Sequence, residues 1–185
     1  MRASQPALLA AGRVIAERRR ALVTEWAAWL GERMAASPSV PRETVERQLD
    51  ILVDLMAEMV GPLRREVKPI WFLACEQYGR VASMRGLAAG EVVEELQYLR
   101  ELLIRTLAPV LAAMRARQGM AIMLRLNRVL DKGVAVAVVG YTDALVATLF
   151  SQNGVPTQGG ALDQAEVARQ LQQIEHELAA VTKRS

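Results

Sequence analysis

Apolar residues recur along most of this chain at intervals of three and four, the spacing that lines one face of an α-helix. Six helical segments follow from that rhythm. The first spans about 6 to 36 and places Leu8, Leu9, Ile15, Leu22, Trp26, Trp29, Leu30 and Met34 on a common stripe. Ser37-Pro38-Ser39-Val40-Pro41 interrupts it, with Ser39 a candidate N-cap for the next segment. The second, about 41 to 60, carries Val45, Leu49, Leu52, Val53, Met56 and Val60, and Gly61-Pro62 ends it. The third covers about 63 to 85, with Pro69 as a kink or first-turn restart and Gly86 where a C′ glycine would sit.

The fourth segment, about 89 to 117, aligns Val92, Leu96, Leu99, Leu103 and Leu107, with a kink expected at Pro109 and a break at Gln118-Gly119. The fifth runs from about 120 to 150. Within it Gly133 to Gly140 is locally strand-like, because β-branched residues favour a pleated surface. No other convincing strand exists to pair with it, and Leu126, Leu130, Val134, Ala137, Val138, Tyr141 and Leu145 continue one helical stripe. The reading is a buried helix whose small residues Gly133, Ala135, Ala137 and Gly140 let neighbours come close. Residues 151 to 160, SQNGVPTQGG, form a linker rich in glycine and without charge. After it Val167, Leu171, Ile174, Leu178 and Val181 repeat at 4, 3, 4 and 3, an a/d heptad seam. Two heptads are too short to be stable alone, so this segment either docks on the bundle or begins a dimeric coil. It ends without a stop signal, from which a continuing polypeptide is expected.

Composition agrees with helices. The chain has 185 residues, 52% of them hydrophobic and 23% charged, which argues for a folded core. The expected fold is all-α: a globin-like or antiparallel bundle of about five helices plus a C-terminal coiled-coil or signalling helix. Residues 1–150 form the helical domain, 151–160 the linker and 161–185 the terminal helix. The net charge of +3 is carried almost wholly by arginine. Arg18-Arg19-Arg20 is the one dense cluster and carboxylates are interspersed elsewhere, so no nucleic-acid partner is expected. Uncharged apolar runs such as Val134 to Tyr141 fall short of a membrane span, and Arg13 interrupts any secretory h-region. A cytoplasmic location follows.

Reactive constellations are sparse. Cys75 is the single cysteine and lies in an apolar run, where a buried, inert thiol is the default. His176 is the single histidine, at an outward f position of the terminal heptads, without a nucleophile or further zinc ligands beside it. No phosphate-cradling glycine motif occurs. Haem usually hangs from an inner-face histidine, and none stands in the first 175 residues. The carboxylate pairs Asp50–Asp54, Glu91–Glu95 and Glu94–Glu101 lack the Glu-x-x-His of di-iron bundles. Glu91 suits the start of a helix, Glu95 lies five residues before Arg100, and Glu101 four before Arg105. The residues give no positive case for an enzyme, a cofactor or a metal.

One stretch carries a family pattern. Tyr78-Gly79-Arg80, Arg85-Gly86-Leu87, Gly90-Glu91-Val92-Val93-Glu94-Glu95-Leu96 and Leu99-Arg100 together resemble the N-terminal domain of RsbR-type regulators, the RsbT co-antagonists. Related domains precede output modules in bacterial sensor kinases. The resemblance is concentrated in residues 71 to 107. It implies a helical, haem-free, dimeric sensory domain that passes a signal through its last helix to an effector such as a histidine kinase or a STAS-type output. On that analogy Tyr78, Arg80, Arg85, Glu91, Glu95 and Arg100 mark a candidate ligand or signalling corner. Val167, Leu171, Ile174, Leu178 and Val181 mark the candidate dimer or signalling helix. A small apolar ligand between the third, fourth and fifth segments, a homodimer and a downstream effector are the expected partners. The alternative is a free-standing adaptor that binds a protein through a helix face, with a haem-binding globin-like sensor behind it.

Overall fold

The computed structural model describes residues 3–33, 40–153 and 163–183. Seven α-helices and no strand occur among them: α1 (Gln5–Glu17), α2 (Arg19–Arg33), α3 (Arg42–Val60), α4 (Arg64–Met84), α5 (Ala89–Ala112), α6 (Ala116–Gln152) and α7 (Gln164–Thr182). The all-helical bundle is as expected, but with one more helix than the sequence pattern gave. The first expected helix divides at Arg18, whose backbone (φ −94°, ψ 3°) is off-helix for one residue. The stripe survives that step: Ile15, Leu22, Trp26 and Leu30 are all buried, whereas Leu9 is 47% exposed. Met34 and Ser39 lie outside the described residues, as do 154–160 of the expected linker. Its first two residues, Ser151 and Gln152, still belong to α6.

Helix α3 is the centre of the core. Its whole expected stripe is buried, joined by Gln48, Ile51, Leu55, Ala57 and Met59, and α1, α2 and α4 pack around it. Helix α4 runs through Pro69, five residues past its start, and its C-terminus is closed by Gly86 at φ +78°. There the Gly86 N–H donates to the Ser83 carbonyl (3.0 Å) and the Leu87 N–H to the Ala82 carbonyl (3.2 Å), the double closure that a C′ glycine permits. Helix α5 passes Pro109 and ends at Ala112, so the break falls at residues 113–115 instead of Gln118-Gly119. Gly119 sits inside α6, buried close to the Leu111 carbonyl.

The most extensive contact in the molecule joins α4 to α6. Glycine makes it: a Cβ on Gly79 would lie 1.8 Å from the Ala137 carbonyl oxygen, and one on Gly140 would lie 2.3 Å from the Glu76 oxygen. The two backbones touch. Gly133 receives the edge of Trp71 and the Cys75 sulfur in the same way. The strand-like stretch is therefore helical, and Gly133, Ala137 and Gly140 face inward, while Ala135 faces solvent. Leu145, at the end of the expected stripe, is also exposed.

The opposite face of α6 is unusual. Val139, Val146, Leu149 and Phe150 are between 41% and 57% exposed. Within this 37-residue helix an 18-residue window has mean hydropathy 1.8 and only 22% of it is buried. By length and composition alone α6 could cross a membrane, so the expectation that no segment reaches that length is amended. Core helices of soluble proteins pass the same test, and α6 gives one face to the backbone of α4.

Helix α7 starts at Asp163, whose carboxylate accepts from the Glu166 N–H (2.7 Å). Its seam turns inward against α3 and α4: Val167, Leu171 and Ile174 are buried, with Leu178 and Val181 packed at the margin. Of the two alternatives for this segment, the chain takes the docked one, and the seam is not a free coiled-coil surface. His176 is exposed, as its outward position predicts.

Candidate functional site

The corner between α4 and α5 gathers half of the candidate residues into one buried cluster. Tyr78 and Arg85 stand seven residues apart on α4 and its C-cap, two turns along one face. Glu95 stands one turn and a half into α5, on the same inward stripe as Val92, Leu96 and Leu99. The Gly86 turn folds these faces together. The Tyr78 hydroxyl donates to Glu95 Oε2 (2.6 Å), Arg85 Nη1 donates to the same oxygen (3.1 Å), and Arg85 Nη2 donates to Glu95 Oε1. All three side chains are sealed from water, at 0%, 5% and 4% exposure for Tyr78, Arg85 and Glu95. Trp26 leans on the Tyr78 ring with centroids 5.9 Å apart, and Tyr141 on α6 donates to the Leu87 carbonyl (2.8 Å). The turn is thus held from inside by charge and from α6 by a hydrogen bond.

Burial sets the electrostatics. The Tyr78 phenol is pushed well above its ordinary pKa, by burial first and then by the Glu95 charge, so it remains a neutral donor. Burial alone would lower Arg85, but the charge and hydrogen bonds of Glu95 oppose it, and the guanidinium stays charged above its usual range. A bidentate arginine–carboxylate pair with a phenol on one oxygen is a closed set, with only Arg85 Nε lacking a partner. Such a pair fixes geometry: either member alone would be an uncompensated charge in the core. The Tyr78 hydroxyl and the two Arg85 Nη groups all donate within the set.

The other three candidates lie apart from it. Glu91 is exposed and accepts from the Ala88 N–H (2.6 Å), closing the first turn of α5. Arg80 pairs with Glu76 one turn back on α4 (2.6 Å), and Arg100 reaches from α5 to Asp131 on α6 (2.5 Å). Glu95 and Arg100, five residues apart on α5, do not pair; Arg85 takes Glu95. Arg105 has its shorter partner in Glu25 (2.7 Å), with Glu101 at 3.8 Å. The carboxylates Asp50 and Asp54 flank Arg19 of the basic cluster, at 3.1 and 2.7 Å, as a tie between α2 and α3.

Two buried glutamines had no signal in the sequence: Gln48 Nε2 donates to the main-chain carbonyl of Gln77 (3.4 Å), and the side-chain oxygens of both residues have no partner. Sequence reasoning also missed that Glu95 is interior. The signal was present, since position 95 lies three after Val92 and four before Leu99. Cys75 is fully buried and its thiol is pushed up by that burial, as the apolar run implied. Among the described residues no group of three or more histidine, cysteine or carboxylate side chains could hold a metal.

Where α7 lies on the bundle a second polar contact stands out. Arg47 on α3 grips Glu175 with Nε–Oε1 2.7 Å and Nη2–Oε2 2.5 Å, both side chains partly open to water. The Arg47 hydrogen bond holds Glu175 below the usual glutamate range and raises Arg47 in turn. Beneath it Asp54 is pushed up, by burial first, with Arg19 opposing and Asp50 adding. Helix α4 therefore carries the buried corner at its C-terminal end and α7 along its flank. No family model, curated protein or solved structure matches the chain.

Proposed function

We propose that this chain is a cytoplasmic signal-input domain, without catalytic activity or haem, in which α7 is the moving part. The observation that carries the reading is the mode of attachment of α7. Among the contacts that hold it to α3 and α4 are three buried side chains, Leu178 and Val181 at the margin, and a water-exposed ion pair, and the seam it hides is a heptad repeat able to pair with a second copy. Undocking would exchange an intramolecular contact for a homodimeric coil, and that exchange would reach a downstream effector such as a histidine kinase or STAS-type output. The resemblance of residues 71 to 107 to RsbR-type input domains supports the same assignment. A ligand or partner drives such a change only if it binds the two states with different affinity. The buried corner on α4 is where packing changes would be felt by α7.

Spin labels at Glu43→Cys and Gln172→Cys, both exposed, test this directly. Softening the corner with Glu95→Gln should broaden the α3–α7 distance distribution toward a long component. An unchanged distribution in a folded variant refutes the coupling.

A second reading is favoured by the exposed apolar face of α6. An adaptor would bind a partner protein through Val139, Val146, Leu149 and Phe150 with α7 remaining docked. Val139→Glu/Val146→Glu would then abolish partner capture and leave the label distances unaltered.

A further inference from the structure

Most of the well-placed arginines in this molecule face a carboxylate: Arg19 with Asp50 and Asp54, Arg47 with Glu175, Arg80 with Glu76, Arg85 with Glu95, Arg100 with Asp131. One place breaks that pattern. A cleft of about 560 Å³, bounded by α1, the start of α4 and α6, is lined by Arg64, Arg65, Lys68, Arg125 and Arg128. None of the five has a carboxylate partner among the described residues, and no acidic side chain lines the cleft.

The arrangement is electrostatically costly in three ways. Like charges gathered on one concave wall raise each other's energy. Arg64 and Arg65 open the first turn of α4, a 21-residue helix whose N-terminus already carries partial positive charge, with Glu66 as the acidic residue of that turn. Arg125 is anchored, its Nε on the Met59 carbonyl (3.0 Å) and its Nη2 on the Gly61 carbonyl (2.5 Å), so it cannot swing away into water. Its pKa is lowered, by burial first and by the nearby Arg64 charge second. Anchoring Arg125 to the end of α3 accounts for that one residue as a helix cap. It does not account for Arg64, Arg65 and Arg128, or for Lys68, whose ammonium lies 5.5 Å over the Phe72 ring but faces no carboxylate.

We propose that this cleft binds a small anion bearing one or more phosphate groups. Guanidinium forks match phosphate oxygens two at a time, and the cleft lies at the start of α4, the helix end that favours an anion. Leu124 is 41% exposed and lines the same cleft, with Met120 exposed one turn earlier on α6. That apolar rim gives room to an organic group attached to the phosphate. The source is either a free phosphate compound or the headgroup of an anionic lipid. The site is independent of the α7 reading: it lies on α1, α4 and α6, and it binds whether or not α7 moves.

Inorganic pyrophosphate is the probe, added to the full chain in isothermal titration and thermal-shift experiments. The expected result is saturable one-to-one binding and a rise in melting temperature larger than equal ionic strength of sodium chloride gives. Arg65→Gln/Arg128→Gln, both exposed, should weaken binding by about tenfold or more while circular dichroism is unchanged. Arg42→Gln/Arg169→Gln removes the same charge outside the cleft and should bind like the parent chain. If the cleft variant loses helicity, Lys68→Gln alone supplies the comparison. Phosphatidylcholine vesicles with and without phosphatidic acid separate the sources. Co-sedimentation with the acidic vesicles, displaced by pyrophosphate, assigns a lipid headgroup; pyrophosphate binding without vesicle binding assigns a free phosphate. The proposal is overturned if neither probe binds saturably, or if both double variants weaken binding alike.

Discussion

Helices α3 and α7 are both 19 residues long and both are amphipathic, yet the chain uses them in opposite ways. Eleven residues of α3 are buried, against three of α7. The difference is one of surroundings: α3 is wrapped by α1, α2, α4 and α7, while α7 leans on α3 and α4 with its remaining face in water. A helix buried on most sides can separate only by unfolding the domain. For a helix buried on one stripe a local route is open as well, whose cost is set by its own contacts. Between the two lies α4, which is locked to α6 by backbone contact at Gly79 and Gly140 and carries α7 on its flank.

Four substitutions sharpen or break this contrast. Glu95→Ala strands the buried Arg85 charge and should cost about 4 kcal/mol in urea unfolding, with α7 and the bundle lost in one transition. Gly79→Ala pushes a methyl into the Ala137 carbonyl, which belongs to a backbone and cannot rotate away. A loss of about 3 kcal/mol, again global, is expected by the same measurement. Ile174→Ala, the most buried seam position, should cost about 2 kcal/mol, but as a separate early loss of α7 seen by hydrogen exchange while the bundle transition stays put. If Ile174→Ala shifts the whole transition instead, α7 belongs to the core and the contrast fails.

The smallest effect concerns the Arg47–Glu175 pair. Arg47→Gln should cost under about 1 kcal/mol and should matter less in high salt, because both side chains are partly exposed. Its pH dependence has a definite sign. Glu175 is depressed in the folded state, so its contribution is present above the ordinary glutamate range and is lost as pH falls through the lowered value. Asp54 is raised, so its effect runs the other way: the folded state favours its proton, and stability from that group falls as pH rises through the raised value. Acidification should therefore loosen α7 while easing the α3 side of the groove. Spin-label distances between Glu43→Cys and Gln172→Cys across a pH series report the first effect, and Glu175→Gln should flatten it.

The sequence showed the faces of the helices better than their ends. The α3 stripe, the seam of α7, the glycine closing α4 and the close-packed inner face of α6 were legible because each depends on local spacing or on one residue's backbone freedom. The step at Arg18 was not, since neither glycine nor proline marks it. Gly119 misled in the other direction: packing against Leu111 keeps a helix going through a residue that usually stops one. At the corner, the arginine nearest to Glu95 along α5 is Arg100, five residues on, an interval that turns the two to different faces. The true partner, Arg85, comes from ten residues earlier across a turn, and only the tertiary fold brings it there. The exposed face of α6 was hidden for a related reason. A valine-rich run looks buried on every side when read alone, and only its neighbours show that α4 covers one side of it.

The central claim is that α7 is a detachable helix on a bundle that holds without it. Native-state hydrogen exchange of the intact chain tests this most directly, by comparing peptides from Gln164–Thr182 with peptides from Arg42–Val60. The account predicts that α7 amides exchange through a sub-global opening of lower free energy and smaller denaturant dependence than that of α3 amides, which exchange only through global unfolding. Equal protection in the two helices, falling together with denaturant, would contradict it.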